Sequence, residues 1–142
     1  MKVSVVIANY NNSKFIKECI ESINNQTYKN IEIIFFDDNS QDNSLEVINR
    51  YKNIKIIKNK IQTKFGSFNQ MNAFKESIQS STGEIIFLLD SDDYFREDKI
   101  EKVVDFFLKN KNENIVFDYP IIKKNNEEIF QNKKVNFFNT YW

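Results

Sequence analysis

Residues 85–93 read Ile-Ile-Phe-Leu-Leu-Asp-Ser-Asp-Asp, an apolar run that is followed at once by three carboxylates. Such a run predicts a strand buried on both faces of a parallel sheet. Asp90, Asp92 and Asp93 then follow the carboxyl end of that strand, where open α/β sheets bind ligands. Because carboxylates this close repel one another, they need solvation, hydrogen bonds or a bridging divalent cation. A solvated turn that begins the next helix is the alternative interpretation.

The rest of the chain alternates strand-like and helix-like segments. Apolar runs predict strands at residues 3–8, 31–36, 54–57 and 84–89. Four amphipathic helices are predicted between and after them, the first capped by Ser13. Their apolar positions are Ile16, Cys19, Ile20 and Ile23, then Leu45, Ile48 and Tyr51, then Met71, Phe74 and Ile78, then Ile100, Val103, Val104, Phe107 and Leu108.

This alternation indicates βαβ units and therefore an α/β fold, with a mostly parallel sheet flanked by helices. The length of 142 residues suits one domain, so we expect residues 1–142 to form a single domain. Residues 115–122 and 128–130 are expected to pair around Asn125-Asn126.

Composition excludes several classes of function. Lys and Arg number 20, and so do Asp and Glu, so bulk charge does not favour a nucleic-acid partner. The chain contains no histidine, which excludes Ser-His-Asp hydrolases and His-ligated zinc sites within it. Its two glycines leave no Gly-rich phosphate loop, so phosphates would need a metal, Lys or Arg. With no signal-peptide or membrane-spanning pattern, the expected location is the cytoplasm.

Polar residues follow three of the predicted strands: 9–11 after the first, 37–40 after the second and 90–93 after the fourth. Because the carboxyl ends of parallel strands share one edge of a sheet, these segments should meet in one crevice. An aromatic ring, a carboxylate pair and an acidic motif together suit a nucleoside diphosphate. The ring can stack on the base, a carboxylate can accept an N–H or hydroxyl, and a bound metal can neutralise the diphosphate.

Three segments at these positions carry a family resemblance. Residues 5–11 (Val-Val-Ile-Ala-Asn-Tyr-Asn), 36–44 (Phe-Asp-Asp-Asn-Ser-Gln-Asp-Asn-Ser) and 82–93, a Gly-Glu strand leading into a DxD motif, occur in this order. Together they resemble the N-terminal, nucleotide-sugar-binding half of family 2 glycosyltransferases. The resemblance covers residues 2–110 and implies the Rossmann-like GT-A fold of nucleotide-diphospho-sugar transferases.

The resemblance implies roles for individual residues. Tyr10 would stack on the base, and Asp38 would contact it, with a uracil N–H as the expected partner. Asp37 would either contact substrate beside Asp38 or order the turn. Asp90 would reach the ribose or the metal shell, and Asp92 would ligate Mg²⁺ or Mn²⁺.

Many members carry an Arg-Asn pair where this chain has Phe74-Lys75. The candidates for the cation that faces the diphosphate are therefore Lys75 and Lys64.

The implied activity is metal-assisted, inverting transfer from a nucleotide-diphospho-sugar, with a UDP-sugar as the favoured donor. The acceptor would be a glycan or a lipid-linked glycan of bacterial surface polysaccharide synthesis, which would place the protein in the cytoplasm, peripheral to the inner membrane. The family's downstream half carries the acceptor site and an acidic catalytic base, and these residues hold no counterpart. A catalytically incomplete nucleotide-sugar-binding module is therefore an alternative. The aromatic tail, residues 137–142, would then be the surface for a downstream segment or partner.

A receiver-type phosphoacceptor domain is a further alternative, since it also uses an Asp pair and a later strand-end Asp with Mg²⁺. Its Asp pair ends the first strand, however, whereas a whole strand-helix unit precedes Asp37 here.

Overall fold

A computed structural model of the chain describes residues 1–59, 62–117, 121–124 and 127–130. Residues 1–110 and residues 111–142 form two separate compact units. The single domain expected from the sequence stays a prediction, and the two units are described in turn.

The first unit is built on a four-stranded parallel sheet with strand order β3-β2-β1-β4. This confirms the α/β class and the predicted sheet. Helices follow each strand, and the elements in chain order are β1 (Val3–Asn9), α1 (Ile16–Asn24), β2 (Ile31–Asp37), α2 (Ser44–Ile48), β3 (Ile54–Lys58), α3 (Gly66–Gln79), β4 (Ile85–Asp90) and α4 (Lys99–Lys109).

Strand register brings the polar strand ends to one edge. In the middle of the sheet, Asn9 of β1 lies beside Asp37 of β2, and Ala8 lies beside Asp90 of β4. The loops that follow β1, β2 and β4 therefore all leave the sheet at the same edge, as parallel pairing requires.

The main core lies on one face of this sheet. Val5, Phe35 and Phe87 of three neighbouring strands pack in one cluster with Ile20 of α1 and Ile100 of α4. The alternate residues of the strands point to the other face, where α3 contacts β1 and β2. Helix α1 buries the four apolar residues predicted for it, Ile16, Cys19, Ile20 and Ile23.

Strand β4 differs from the prediction of a strand buried on both faces. Its residues alternate between buried and exposed, with Ile86 37% and Leu88 53% exposed. The reason is its position: β4 is an edge strand of the described sheet, and α3 packs mainly on β1 and β2.

Helix α3 buries a different face from the predicted one. The side chains of Asn69, Ala73 and Ser77 are buried, whereas Met71 is 65% and Ile78 is 40% exposed. Small and polar side chains face the sheet here, and the hydrogen bonds of Asn69 described below compensate for its burial.

At the ends of three helices, the structure also differs from the sequence prediction. No side chain caps α1, which begins after Phe15, and the backbone N–H of Ser13 instead donates to Asp42 Oδ2 at 2.9 Å. Helix α2 ends at Ile48, before Tyr51. In α4, Leu108 is 54% exposed because it lies in the last turn, beyond the core.

The second unit contains an antiparallel hairpin of β5 (Ile121–Lys124) and β6 (Glu127–Phe130). The predicted pairing is confirmed where 121–122 meet 129–130. The strands also include Lys123, Lys124 and Glu127, and 115–117 form no strand. The aromatic tail, residues 137–142, lies outside the described residues, so its docking role stays a prediction. Among the described helices, none has the length and apolarity needed to cross a membrane.

Candidate functional site

A cavity of about 510 Å³ opens at the carboxyl edge of the sheet in the first unit. Three strand-end loops and the start of α3 form its wall. The structure thus brings together five of the residues singled out from the sequence, Tyr10, Asp38, Lys64, Asp90 and Asp92. The remaining lining residues are Ala8, Asn9, Asn12, Gln62, Thr63, Gly66, Asn69, Gln70 and Ala73.

Tyr10 stands at the cavity with 46% of its surface exposed. The next residue, Asn11, adopts a left-handed conformation with φ of 53°, which Asn tolerates better than most residues. Its backbone N–H donates to Ser40 Oγ at 3.0 Å, and its Oδ1 accepts from the Gln41 N–H at 2.8 Å. The loop that presents the ring is therefore fixed to the loop that follows β2.

Asp37 is buried beneath the loops that follow β1 and β2 and is only 1% exposed. Its Oδ1 accepts from Asn9 Nδ2 at 2.9 Å, and its Oδ2 accepts from the Ser40 N–H at 3.1 Å. Asp37 is not among the lining residues of the cavity. Of the two roles that the sequence left open, the geometry favours the ordering of the turn, and contact with substrate stays a prediction.

Asp38 lines the cavity but is itself 6% exposed, and both of its carboxylate oxygens are paired. Oδ1 accepts from Asn59 Nδ2 at 2.6 Å, and Oδ2 accepts from Gln62 Nε2 at 3.0 Å. The Asp38 N–H donates to the Asn9 carbonyl at 2.8 Å, which continues the pairing of β1 and β2. A buried carboxylate with satisfied oxygens has a fixed orientation, as a recognition group requires.

The acidic turn after β4 is also held in place. The Ser91 N–H donates to the Ala8 carbonyl at 3.0 Å, and Ser91 Oγ accepts from Asn12 Nδ2 at 3.1 Å. Asp90 is half-buried, and its Oδ1 accepts from Gln70 Nε2 of α3 at 2.7 Å. Asp92 is exposed and lines the cavity.

Asp93 does not line the cavity, although it belongs to the same turn. Burial raises the pKa of its carboxyl, and the negative charges of Asp92 and Asp90 raise it further. The three carboxylates are therefore close enough to repel one another, as the sequence indicated, and a cation placed among them would relieve that repulsion.

Comparison with known proteins now identifies the family. The model of glycosyl transferase family 2 matches residues 4–142. The chain belongs to this family. Among its curated relatives is the Escherichia coli UDP-Glc:alpha-D-GlcNAc-diphosphoundecaprenol beta-1,3-glucosyltransferase WfaP, 38% identical over 117 residues, which are 82% of this chain and 44% of that protein. The Bacillus spizizenii poly(ribitol-phosphate) beta-glucosyltransferase is 34% identical over 119 residues, 80% of this chain and 18% of that protein.

Solved structures show the same GT-A fold. S. aureus TarS 1–349 in complex with UDP-GlcNAc aligns with a TM-score of 0.67 and 25% identity, over 78% of this chain and 32% of that one. Mannosyltransferase PcManGT from Pyrobaculum calidifontis, in complex with GDP-Man and Mn²⁺, aligns with a TM-score of 0.66 and 20% identity, over 75% and 32% of the two chains. This family 2 chain spans less than half the length of these relatives.

The acidic turn fits a divalent cation that arrives with a substrate. Among the described residues, no group of three or more His, Cys, Asp or Glu side chains could hold a metal by themselves. Asp90 and Asp92 nevertheless line the cavity, and carboxylate oxygens are ligands that Mg²⁺ and Mn²⁺ prefer. Since Mg²⁺ is commonly held by one or two carboxylates together with substrate phosphates, the donor set suits that mode of binding.

The two candidate lysines are placed differently. Lys64 lines the cavity and carries its ammonium 5.2 Å from the centroid of the Phe65 ring. Lys75 is exposed on α3 and is not among the lining residues. A contact between Lys75 and the diphosphate stays a prediction, and Lys64 is the better-placed cation.

Sequence reasoning missed the amide side chains of the site. Asn59, Gln62 and Gln70 each bond a carboxylate that is 20 or more positions away in the chain. The only signal for Asn59 and Gln62 was a polar segment between β3 and α3, in a chain where Asn is common throughout, and Gln70 lies within α3 with no signal of its own. Nothing local distinguishes them from solvated residues.

Proposed function

We propose that this family 2 glycosyltransferase chain binds the nucleoside diphosphate of an activated sugar and serves its transfer to an acceptor. The observation that carries the proposal is the single cavity in which the exposed ring of Tyr10, the fixed carboxylate of Asp38 and the acidic pair Asp90 and Asp92 converge. Tyr10 and Asp38 would contact the base, and the acidic pair would reach the ribose or hold a cation beside the diphosphate.

The proposed donor is a UDP-sugar. Tyr10 offers a ring face for stacking on the base, and Asp38 offers an acceptor for an imide N–H such as that of uracil. Support comes from the relatives, since TarS has been solved with UDP and with UDP-GlcNAc, and WfaP is named for UDP-Glc.

We propose Asp92 as the metal ligand, with Asp90 reaching the ribose or the metal shell. A bound Mg²⁺ or Mn²⁺ would neutralise the diphosphate and so assist its departure as leaving group. Gln70, which donates to Asp90 Oδ1, holds that carboxylate at the cavity wall. Lys64 lines the same cavity and could add positive charge beside the diphosphate.

Inverting transfer by direct displacement needs a base that removes the proton of the acceptor hydroxyl. The chain has no histidine, and in the described part of it the carboxylates that line the cavity are Asp38, Asp90 and Asp92. Donor binding uses all three, so the base is unassigned. This favours a second candidate function, a donor-binding unit that turns over only when another segment or partner supplies the base.

The proposed acceptor is a glycan or a lipid-linked glycan, by analogy with WfaP, whose name gives alpha-D-GlcNAc-diphosphoundecaprenol as its acceptor. Such an acceptor would place the reaction in the cytoplasm, at the periphery of the inner membrane.

Titration calorimetry of the chain with UDP, with and without Mn²⁺, tests the proposal. We expect Mn²⁺-dependent binding that favours UDP over GDP, and Asp38→Ala should weaken it about 10- to 100-fold through the lost buried hydrogen bond. Absence of UDP binding would refute the function. A coupled assay for UDP release with an acceptor then separates an active transferase from a unit that only binds its donor.

A further inference from the structure

The segment that precedes α3 is pinned over Asp38 by a compact hydrogen-bond clamp. The buried side chain of Asn69 accepts at Oδ1 from the Thr63 N–H at 3.1 Å and from Thr63 Oγ1 at 2.7 Å. In return, Asn69 Nδ2 donates to the Thr63 carbonyl at 2.9 Å. Asn69 is 6% exposed, whereas Thr63 is exposed, so these bonds are partly buried. They fix the backbone immediately after Gln62.

Gln62 is thereby held against Asp38 at the cavity wall. It is half-buried, it lines the same cavity as Asp38, and its Nε2 lies 3.0 Å from Asp38 Oδ2. A carboxylate only accepts, so the amide of Gln62 must turn its NH₂ group, and not its oxygen, towards Asp38. One N–H is used in this bond, and the second remains for another acceptor.

Asn59 holds the other side of the carboxylate. Its backbone N–H donates to the Asp37 carbonyl at 2.8 Å, which places it at the end of β3, and its Nδ2 donates to Asp38 Oδ1. Asn59 is not among the lining residues of the cavity. The two amides therefore have different positions: Asn59 supports Asp38 from behind, and Gln62 stands beside it at the cavity.

We propose that Gln62 and Asp38 act as a pair that reads the edge of a pyrimidine base, which makes Gln62 a specificity-determining residue. Asp38 accepts the imide N–H, and Gln62 donates its second N–H to the adjacent carbonyl oxygen. This inference rests on the proposed function and extends it, because it states which base chemistry the site selects.

The pair matches uracil and opposes cytosine. Uracil presents a ring N–H flanked by carbonyl oxygens. The N–H can donate to Asp38, and a neighbouring carbonyl oxygen can accept from Gln62. Cytosine presents an unprotonated ring nitrogen beside an amino group on that edge, which would face a carboxylate and an amide N–H with like polarity. Unmatched polar groups in a half-buried site weaken binding more than the matched bonds strengthen it.

The test compares UDP and CDP binding, both with Mn²⁺, to the unaltered chain, Gln62→Ala and Gln62→Met. Both variants should bind UDP about 3- to 10-fold more weakly, the loss of one neutral hydrogen bond to the base, and CDP within about 2-fold of the unaltered chain. Gln62→Met keeps the side-chain length but removes the donor without adding a charge beside Asp38. Gln79→Ala, at the exposed end of α3, is the matched control and should change neither affinity.

Inorganic pyrophosphate binding with Mn²⁺ provides the structural readout and should be unchanged in the variants. Thermal unfolding should show a similar small loss of stability in both variants, because each loses the hydrogen bond from Gln62 to Asp38. Equal weakening of UDP and CDP, or unchanged UDP binding in both Gln62 variants, would overturn the role of Gln62 while leaving the proposed function intact. A chain that binds pyrophosphate and Mn²⁺ but shows no preference for UDP over CDP would also overturn it. Failure of the unaltered chain to bind UDP at all would overturn the proposed function, and this inference with it.

Discussion

Gln70 Nε2 lies 2.7 Å from Asp90 Oδ1 and joins the first turns of α3 to the end of β4. The preceding residue, Asn69, fixes the segment that carries Gln62. Two consecutive residues of one helix therefore position both sides of the cavity, the side that faces Asp38 and the acidic side. This explains why a helix that packs on the sheet buries a polar residue near its start.

The bond from Gln70 gives the first prediction. Gln70→Ala should lower the Mn²⁺-dependent affinity for UDP about 2- to 10-fold, because Asp90 loses its fixed orientation. Without metal, the UDP affinity should be unchanged. Calorimetry at several Mn²⁺ concentrations measures both, with Gln79→Ala of the same helix as control. An equal loss with and without Mn²⁺ would show that Gln70 and Asp90 act on the nucleotide itself and not through the metal.

The acidic turn gives the second prediction, which separates two neighbouring carboxylates. Asp92 lines the cavity, whereas Asp93 does not. Asp92→Asn should therefore remove most of the increase in UDP affinity that Mn²⁺ produces, and Asp93→Asn should remove much less. The measurement is UDP titration with and without Mn²⁺ for each variant. Equal UDP affinity in Asp92→Asn and the unaltered chain would exclude Asp92 as the metal ligand.

Elements whose signal is local were predictable from the sequence. Helix α1 buries Ile16, Cys19, Ile20 and Ile23 because their spacing alone defines one face. The convergence of Tyr10, Asp38 and Asp90 was also predictable, since parallel strands that each end in polar residues must place them at one edge.

Elements that depend on tertiary context were not predictable. The exposure of Leu88 follows from the edge position of β4, and strand order is not encoded in the strand itself. The buried face of α3 carries Asn69 and Ser77, so hydrophobic spacing selected Met71 and Ile78 instead. The burial of Asn69 is compensated by its hydrogen bonds to Thr63, which form only when the loop is folded.

The two glycines give the third prediction, on stability. A Cβ added at Gly83 would lie 2.5 Å from the backbone nitrogen of Ser4, closer than such atoms approach, whereas one at Gly66 would meet nothing within 4 Å. Gly83→Ala should therefore lower the free energy of unfolding by about 1–3 kcal/mol, the usual effect of overpacking.

Gly66→Ala, in the first turn of α3, is the matched control for Gly83. It should be neutral or stabilising by about 0.4–1 kcal/mol, because alanine restricts the unfolded chain. Urea unfolding of both variants measures the two free energies. If Gly83→Ala were as stable as Gly66→Ala, the result would contradict the close packing of residue 83 against β1.

The fourth prediction concerns Glu32, which ties β2 to β1 and to the segment before β4. Its Oε1 accepts from Ser4 Oγ at 2.5 Å, and its Oε2 lies 2.8 Å from both Lys2 Nζ and Thr82 Oγ1. Burial alone would raise the pKa of Glu32, but the hydrogen bonds from Lys2, Ser4 and Thr82 outweigh it and lower the pKa to about 2.

Because the pKa of Glu32 is lower in the folded chain than its ordinary value of about 4.3, the ionised side chain stabilises the fold above that pH, and this stabilisation is lost as the pH falls towards 2. Glu32→Gln should therefore be less stable than the unaltered chain at pH 7, and the difference should shrink steadily between about pH 5 and pH 2. Urea unfolding across this range measures it, with Glu113→Gln, an exposed residue after α4, as control. A stability difference that stays constant with pH would show that the side chain acts through packing and not through its charge.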